Sequence, residues 1–314
     1  MNEPVIQKIQ EWKARRDAVI LVHNYQLDEI QDIADILGDS LELSRKASEV
    51  SAEVIVFCGV HFMAETAAVL NPGRTVLMPV KEAGCPMADM ITAPQLREMK
   101  ADHPDAAVVC YVNSTAGVKA ESDCCCTSAN AADVIRSFDP DRPIIFVPDK
   151  YLGMYAAKQT GRELILWNGY CPTHVRIQAE DIARLKQRHP DAVAMVHPEC
   201  TPEVQEAADD VLSTGGMVRV ARESQARMFI VGTETGMLHR LRRENPTKEF
   251  YAVTDACVCP NMKRNRLENV LWCLEDMEPR ITVPEDVREP ARKAIENMLA
   301  VTRKTPETGR GSPS

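Results

Sequence analysis

The dipeptide Cys-Pro occurs three times in this chain, at Cys85-Pro86, Cys171-Pro172 and Cys259-Pro260. The first two cysteines are 86 residues apart and the next two 88. Eleven cysteines and twenty prolines in 314 residues would give about 0.7 such pairs by chance. Even spacing of a rare dipeptide suggests one unit used three times, each copy delivering one thiolate. Zinc sites announce themselves as tight pairs such as CxxC. Three remote cysteines with no local fourth instead suit an iron–sulfur cubane with one iron lacking a protein ligand. Such an iron can act as a Lewis acid toward hydroxyl, carbonyl or carboxylate oxygens.

A second set of residues recurs with the cysteines. His23-Asn24-Tyr25, Tyr111-Val112-Asn113 and His197-Pro198-Glu199 each follow a short apolar run. A single histidine at a strand end is more often a satisfied structural residue. Together these segments form a ring of acids, bases and hydrogen-bond donors around one open metal position, which is what proton-shuttling dehydration chemistry requires. Hydroxyl residues follow at Ser40, Ser128 and Thr214, where a helix N-cap is expected; helix N-termini hold carboxylate or phosphate well. The implied ligand is small and polyanionic. His174, three residues after Cys171, is expected in the surrounding shell; His61, His103, His189 and His239 read as structural or surface residues.

The remaining cysteines read mainly as core. Cys58 and Cys110 end apolar runs, and Cys273 lies on a helix spanning 265–277. Adjacent side chains of an extended Cys124-Cys125-Cys126 point in opposite directions, so the three do not easily bind one ion. Cys257 competes with Cys259, but only Cys259 keeps the Cys-Pro pattern. Cys200 has no assigned role. The run Gly232-Thr-Glu-Thr-Gly236 lacks the lysine of a P-loop, and Arg240-Leu-Arg-Arg-Glu244 reads as a solvated helix face.

The elements that must position these residues share the period. Opening strands are expected at 18–23, 107–113 and 193–197, with the cysteine following 62, 58 and 62 residues after each end and the hydroxyl 17, 15 and 17 residues after it. Second strands are expected at 54–58, 143–147 and 228–231, and third strands at 75–78, 163–167 and 249–253. Helical stretches fill the gaps. This predicts an α/β fold of three pseudo-threefold related αβα domains, Rossmann-like with parallel sheets, around a central cleft. The repeats are set at 1–88, 89–174 and 175–262. A terminal helix over 283–302 is expected to pack back on the first repeat, and 303–314 is expected to be disordered.

The chain is 45% hydrophobic with a formal net charge of −9 and no basic tract, so nucleic acid is an unexpected partner. No apolar run approaches the roughly 20 residues of a membrane span. The polar N-terminal segment reads as no signal peptide, and eleven cysteines point to a reducing compartment, the cytoplasm.

Taken in order, Val22-His-Asn-Tyr25, Gly38-Asp-Ser40, Gly84-Cys-Pro86, Tyr111-Val-Asn-Ser114, Thr127-Ser-Ala-Asn130, Trp167-Asn-Gly-Tyr-Cys-Pro-Thr-His174, His197-Pro-Glu199, Ser213-Thr-Gly215 and Cys259-Pro-Asn-Met-Lys263 resemble the quinolinate synthases of de novo NAD synthesis. The resemblance covers roughly residues 5–302. It implies a cytoplasmic transferase that condenses iminosuccinate with dihydroxyacetone phosphate to quinolinate, phosphate and two waters. It implies a [4Fe–4S] cluster on Cys85, Cys171 and Cys259, with one iron open to substrate. Substrate contacts are implied at His23, Ser40, Tyr111, Asn113, Ser128, His197, Glu199 and Thr214. Glu199, His23, Tyr25, Tyr111 and His197 are the candidates for catalysis. L-aspartate oxidase or aspartate dehydrogenase is the implied supplier of iminosuccinate. The Cys124–Cys126 run departs from the family pattern. Alternative readings are an iron–sulfur enzyme of diphthamide synthesis, which uses S-adenosylmethionine, or a non-enzymatic iron–sulfur redox sensor.

Overall fold

The computed structural model describes residues 3–304. Among them the chain forms three four-stranded parallel sheets flanked by helices. The first sheet holds β1 (Ala18–His23), β2 (Ile36–Gly38), β3 (Val54–Cys58) and β4 (Thr75–Leu77) in the order β2-β1-β3-β4. The second holds β5 (Ala107–Tyr111), β6 (Cys124–Cys126), β7 (Ile144–Val147) and β8 (Ile165–Leu166), ordered β6-β5-β7-β8. The third holds β9 (Val193–Val196), β10 (Asp210–Val211), β11 (Met228–Gly232) and β12 (Glu249–Ala252), ordered β10-β9-β11-β12.

The inner strands are continuous apolar runs because helices cover both faces of a parallel sheet. β3, β5 and β7 are buried along their whole length. Fully burying each Val, Ile, Leu or Phe side chain contributes about 1.5–3 kcal/mol, so a charge at Val56 or Phe146 would break its sheet. Parallel pairing runs in register from Ala18–Val54 to Val22–Cys58 and from Ala107–Ile144 to Cys110–Val147.

Each sheet has one strand more than the periodicity indicated. β2, β6 and β10 are two or three residues long, too short to show an alternation. A polar device repeats in front of all three. Asp35, Asp123 and Asp209 each accept a hydrogen bond from a backbone N–H of the neighbouring inner strand, at Ile20 (2.8 Å), Val108 (2.7 Å) and Ala194 (2.8 Å). Each aspartate's own N–H donates to the carbonyl of the same residue at 3.0 Å. One carboxylate thus begins the pairing of a strand too short to hold its register alone.

The terminal helix runs from Glu285 to Lys304 and does not pack chiefly on the first unit as expected. It lies against the second, on the helix Ala116–Ala120, on β6 and on the helix Ala131–Arg136, with a smaller contact to the helix His61–Leu70 of the first. β6 is an edge strand of buried cysteines, and an edge needs a cover. Ala291, Ala294, Ile295 and Met298 of the helix are buried there, and Asn297 Nδ2 donates to the Asp123 carbonyl at 2.8 Å. Residues 303 and 304 are helical rather than disordered; the rest of that expected tail lies outside the described residues.

Candidate active site

In every sheet the order reverses between the first and second inner strands, at β1/β3, β5/β7 and β9/β11. Side chains just beyond the carboxyl ends at such a switch point face a crevice that no crossover helix can fill. His23, Tyr111 with Asn113, and His197 stand at those ends. Together with Tyr25, Ser40, Ser128, Glu199, Thr214, Cys85, Cys171 and Cys259 they line one cavity. Val60, Phe62, Met63, Met87 and Met262 supply its apolar wall.

The three cysteines sit in the same local turn. The N–H groups of Asp89, Val175 and Lys263, four residues on, each bond back to the cysteine carbonyl at 3.3 Å. Proline suits the first position of such a turn, where no N–H is needed. The next two N–H groups aim at the sulfur: Met87 and Ala88 at Cys85, Thr173 and His174 at Cys171, Asn261 and Met262 at Cys259. Burial pushes the Cys85 thiol up to about 12 and raises those of Cys171 and Cys259, while these N–H groups pull the other way. A bound cation would deprotonate such thiols outright, so the donor set fits a metal centre held by thiolates. All three cysteines are free. Cys171, His174 and Glu199 also bring ligand atoms within 4.8 Å of one another. His174 Nδ1 lies 2.7 Å from Glu199 Oε2 and 3.2 Å from Cys171 Sγ, and its Nε2 lies 2.8 Å from Thr233 Oγ1.

Glu199 is the hub of the polar network. Its Oε1 accepts from the Tyr111 hydroxyl at 2.6 Å and from Asn113 Nδ2 at 3.3 Å, and its Oε2 lies 2.7 Å from His174 Nδ1. Burial alone would raise its pKa; His174, His197 and the hydrogen bonds from His174 and Tyr111 outweigh it and hold the carboxyl well below its ordinary range. From His174 the network continues through Nε2 to Thr233 Oγ1 at 2.8 Å, and from there to the Tyr25 hydroxyl at 2.6 Å. Burial raises both tyrosines well above their ordinary range, with Glu199 adding to it. Burial drives His23 and His197 down to about 3, so both imidazoles are neutral. Their tautomers follow from the turn behind each ring. His23 Nδ1 accepts from the Tyr25 N–H at 3.2 Å and His197 Nδ1 from the Glu199 N–H at 3.3 Å. Each ring therefore carries its proton on Nε2, which for His197 lies 3.2 Å from Ser128 Oγ. Asn113 Oδ1 is buried without a partner on the cavity wall.

The hydroxyls do not cap helices as expected. Asp39 caps the helix Ser40–Glu49 and Ser213 the helix Thr214–Glu223, so Ser40 and Thr214 are the first helical residues. The helix after Ser128 begins only at Ala131. Thr214 Oγ1 accepts from Asn24 Nδ2 at 2.9 Å, and Asp39 Oδ2 accepts from the Gly215 N–H at 3.2 Å. The first and third units therefore meet at their helix N-termini. Arg240 belongs to this junction rather than to a solvated face: Nη1 donates to Asn24 Oδ1 at 2.8 Å and to the Leu37 carbonyl at 3.1 Å.

Other cysteines face away. Cys58, Cys110, Cys200 and Cys273 are buried in the cores, as are all three of β6. Cys257 Sγ points to the Thr173 carbonyl at 3.6 Å in the core of the third unit. Sequence reasoning missed Thr233 and Glu234, both buried within the run set aside as a failed P-loop. Thr233 and Glu234 follow β11 directly, so their position after an inner strand of the third repeat was the usable signal.

The family described as "Quinolinate synthetase A protein" matches residues 7–300. A protein named quinolinate synthase from Dehalococcoides mccartyi is 57% identical over 301 residues, covering 96% of this chain and 99% of that protein. Quinolinate synthases of Geobacter metallireducens (54% over 301 residues, 96% and 99% coverage) and Methanoregula boonei (53% over 295 residues, 94% and 97%) are similar at comparable levels.

Proposed function

We infer the reaction from one premise: the chain belongs to the quinolinate synthetase A family and is an enzyme of the quinolinate synthase type. The reading is that it condenses iminosuccinate with dihydroxyacetone phosphate, releasing phosphate and two waters as the pyridine ring of quinolinate closes. The observation that carries this reading is the meeting of three like cysteine turns and the Glu199 network in a single cavity. Cys85, Cys171 and Cys259 would hold a [4Fe–4S] cluster. When bound, it supplies a Lewis-acidic iron with no protein ligand, able to polarise a substrate oxygen or nitrogen.

The chain's own groups divide the remaining work. Two carboxylates and a phosphate need donors in a water-poor site. Ser40, Ser128 and Thr214 offer hydroxyls, His23 and His197 offer Nε2–H, and Asn113 adds its amide. Such charge-assisted hydrogen bonds contribute roughly 1.5–3 kcal/mol each. Alanine at Ser40, Ser128 or Thr214 is therefore expected to weaken quinolinate binding about ten- to a hundredfold; unchanged dissociation constants in all three variants would refute this placement. Glu199 stays ionised and can accept a proton from carbon next to an imine or carbonyl. The hydrogen-bonded run Glu199–His174–Thr233–Tyr25 offers that proton a path toward a leaving hydroxyl. The apolar wall of Phe62, Met63, Met87 and Met262 excludes water and strengthens each of these interactions.

Iminosuccinate must come from an aspartate-oxidising enzyme, an oxidase or a dehydrogenase, and the site would operate in a reducing compartment such as the cytoplasm. No described helix is long and apolar enough to cross a membrane. The test is anaerobic reconstitution with iron and sulfide, followed by assay with preformed iminosuccinate and dihydroxyacetone phosphate. Quinolinate and phosphate should form in equal amounts. A reconstituted protein that forms no quinolinate would overturn the reading.

A further inference from the structure

Glu234 lies outside every role assigned above, yet its carboxylate is buried and fully engaged. Oε1 accepts from the Cys259 N–H at 3.1 Å. Oε2 accepts from the Gly236 N–H at 2.7 Å. Lys263 Nζ sits 2.9 Å from the same carboxylate and also donates to the Tyr25 carbonyl at 2.7 Å. The cradle is closed on its remaining side: a Cβ at Gly236 would stand 2.6 Å from Lys263 Nζ and 2.9 Å from Glu234 Oε2. Two facts give this arrangement a purpose beyond packing. Burying an ion pair costs desolvation that its own attraction rarely exceeds, so retaining one here needs another reason. The groups it joins are a cysteine of the third unit and the backbone of Tyr25 in the first, both of which line the cavity.

We propose that Glu234 is a positioning residue that, through Lys263, locks the Cys259 turn to Tyr25, so that the seat of the metal centre and the placement of the tyrosine hydroxyl are set together. The proposal rests on the reading of Cys259 as a cluster ligand. Glu234 orients the turn by its N–H rather than by touching metal or substrate. Lys263 has the matching task on the other side, holding the chain at Tyr25 whose hydroxyl meets Thr233.

Four variants and a control separate this from a general stabilising role. In the anaerobically reconstituted enzyme, Glu234→Ala should release iron to an excess of chelator about tenfold faster than wild type, the scale of losing a partner of a metal ligand. Glu234→Gln keeps an oxygen for the Cys259 N–H and should return release to within about threefold. The double variant Glu234→Gln/Lys263→Met buries no unpaired charge. It should keep its iron but lose about tenfold in kcat with KM little changed, because Tyr25 is no longer held. Should Glu234→Ala fail to fold, this double variant and Gly236→Ala, which displaces Lys263, carry the test; Gly236→Ala should likewise lower kcat. Melting temperature of the iron-free protein is measured throughout. Equal losses of melting temperature with no split between Ala and Gln would overturn the proposal, as would wild-type kcat in the double variant. Cys259→Ala is the control. If it binds no iron while Glu234→Ala releases iron at the wild-type rate, the proposal alone fails. If Cys259→Ala keeps its full iron, the ligand reading fails and the proposal with it.

Discussion

Two groups of three cysteines behave oppositely in this molecule. Cys85, Cys171 and Cys259 are far apart in the chain, yet they stand on one cavity wall in three copies of one turn. Cys124, Cys125 and Cys126 are consecutive, yet successive side chains of β6 leave opposite faces of the sheet. Cys125 pairs in register with Cys110 of β5, and Cys124 Sγ turns to the Cys125 carbonyl at 3.2 Å. Metal-ligand geometry depends on where side chains converge, and sequence adjacency on a strand works against convergence. The β6 cysteines act as small apolar residues under the terminal helix; burial raises the Cys124 and Cys126 thiols, and a hydrogen bond with Cys110 together with burial raises that of Cys125.

The largest effect that could break this comparison is on metal content. Alanine at Cys85, Cys171 or Cys259 should abolish stable iron and sulfide binding after reconstitution, whereas alanine at Cys124, Cys125 or Cys126 should leave it near wild type. Iron bound normally by Cys259→Ala but lost from Cys257→Ala would reverse the assignment.

Glu199→Gln probes the polar side of the cavity. It preserves shape and removes the base, so cluster assembly and ligand binding should persist while turnover falls about 10²-fold or more. Near-normal quinolinate formation would leave Glu199 an orienting role.

Acid sharpens the contrast in another way, because the cavity carries buried histidines and β6 carries none. His23 and His197 fall from 6.5 to about 3 on folding. With the folded values depressed, the unfolded chain takes up protons first as pH drops. Their contribution to stability is complete above pH 6.5 and is lost progressively as pH falls toward 3. Each should cost about 1.4 kcal/mol by pH 5.5. The urea midpoint of the iron-free protein should therefore drop between pH 7.5 and 5.5, and His23→Asn should remove about half of these two residues' share. A midpoint that does not respond to this change would contradict the burial of neutral imidazoles.

The smallest effect belongs to β6. Cys125→Ser places a hydroxyl in the core and should destabilise by about 1–3 kcal/mol without altering iron content. A loss of iron larger than the loss of stability would give that strand a part in the metal centre.

Much of this arrangement was legible beforehand. Long inner strands such as Ala18–His23 and Val54–Cys58 advertise themselves as unbroken apolar runs, and the Cys-Pro period marks the repeats. The short edge strands were not legible. Two or three residues have no periodicity, and their pairing depends on Asp35, Asp123 and Asp209, whose repeat is visible only once their partners are known. The terminal helix was assigned to the wrong unit because its apolar face matches any uncovered sheet edge, and the bare edge of β6 was not recognised as a strand.

Local spacing thus carries the identity of the repeating unit and of the residues at its strand ends, because strand, turn and helix are short-range matters of burial and backbone geometry. Whether those residues meet is a long-range matter. Thr233 reaches both Tyr25 and His174 only after three units have packed with their strand ends inward. No pattern within one unit encodes that contact, since its partners lie in the other two. The depressed carboxyl of Glu199 has largely the same origin: besides His197 of its own unit, it depends on His174 and Tyr111 of the second unit meeting a carboxylate from the third.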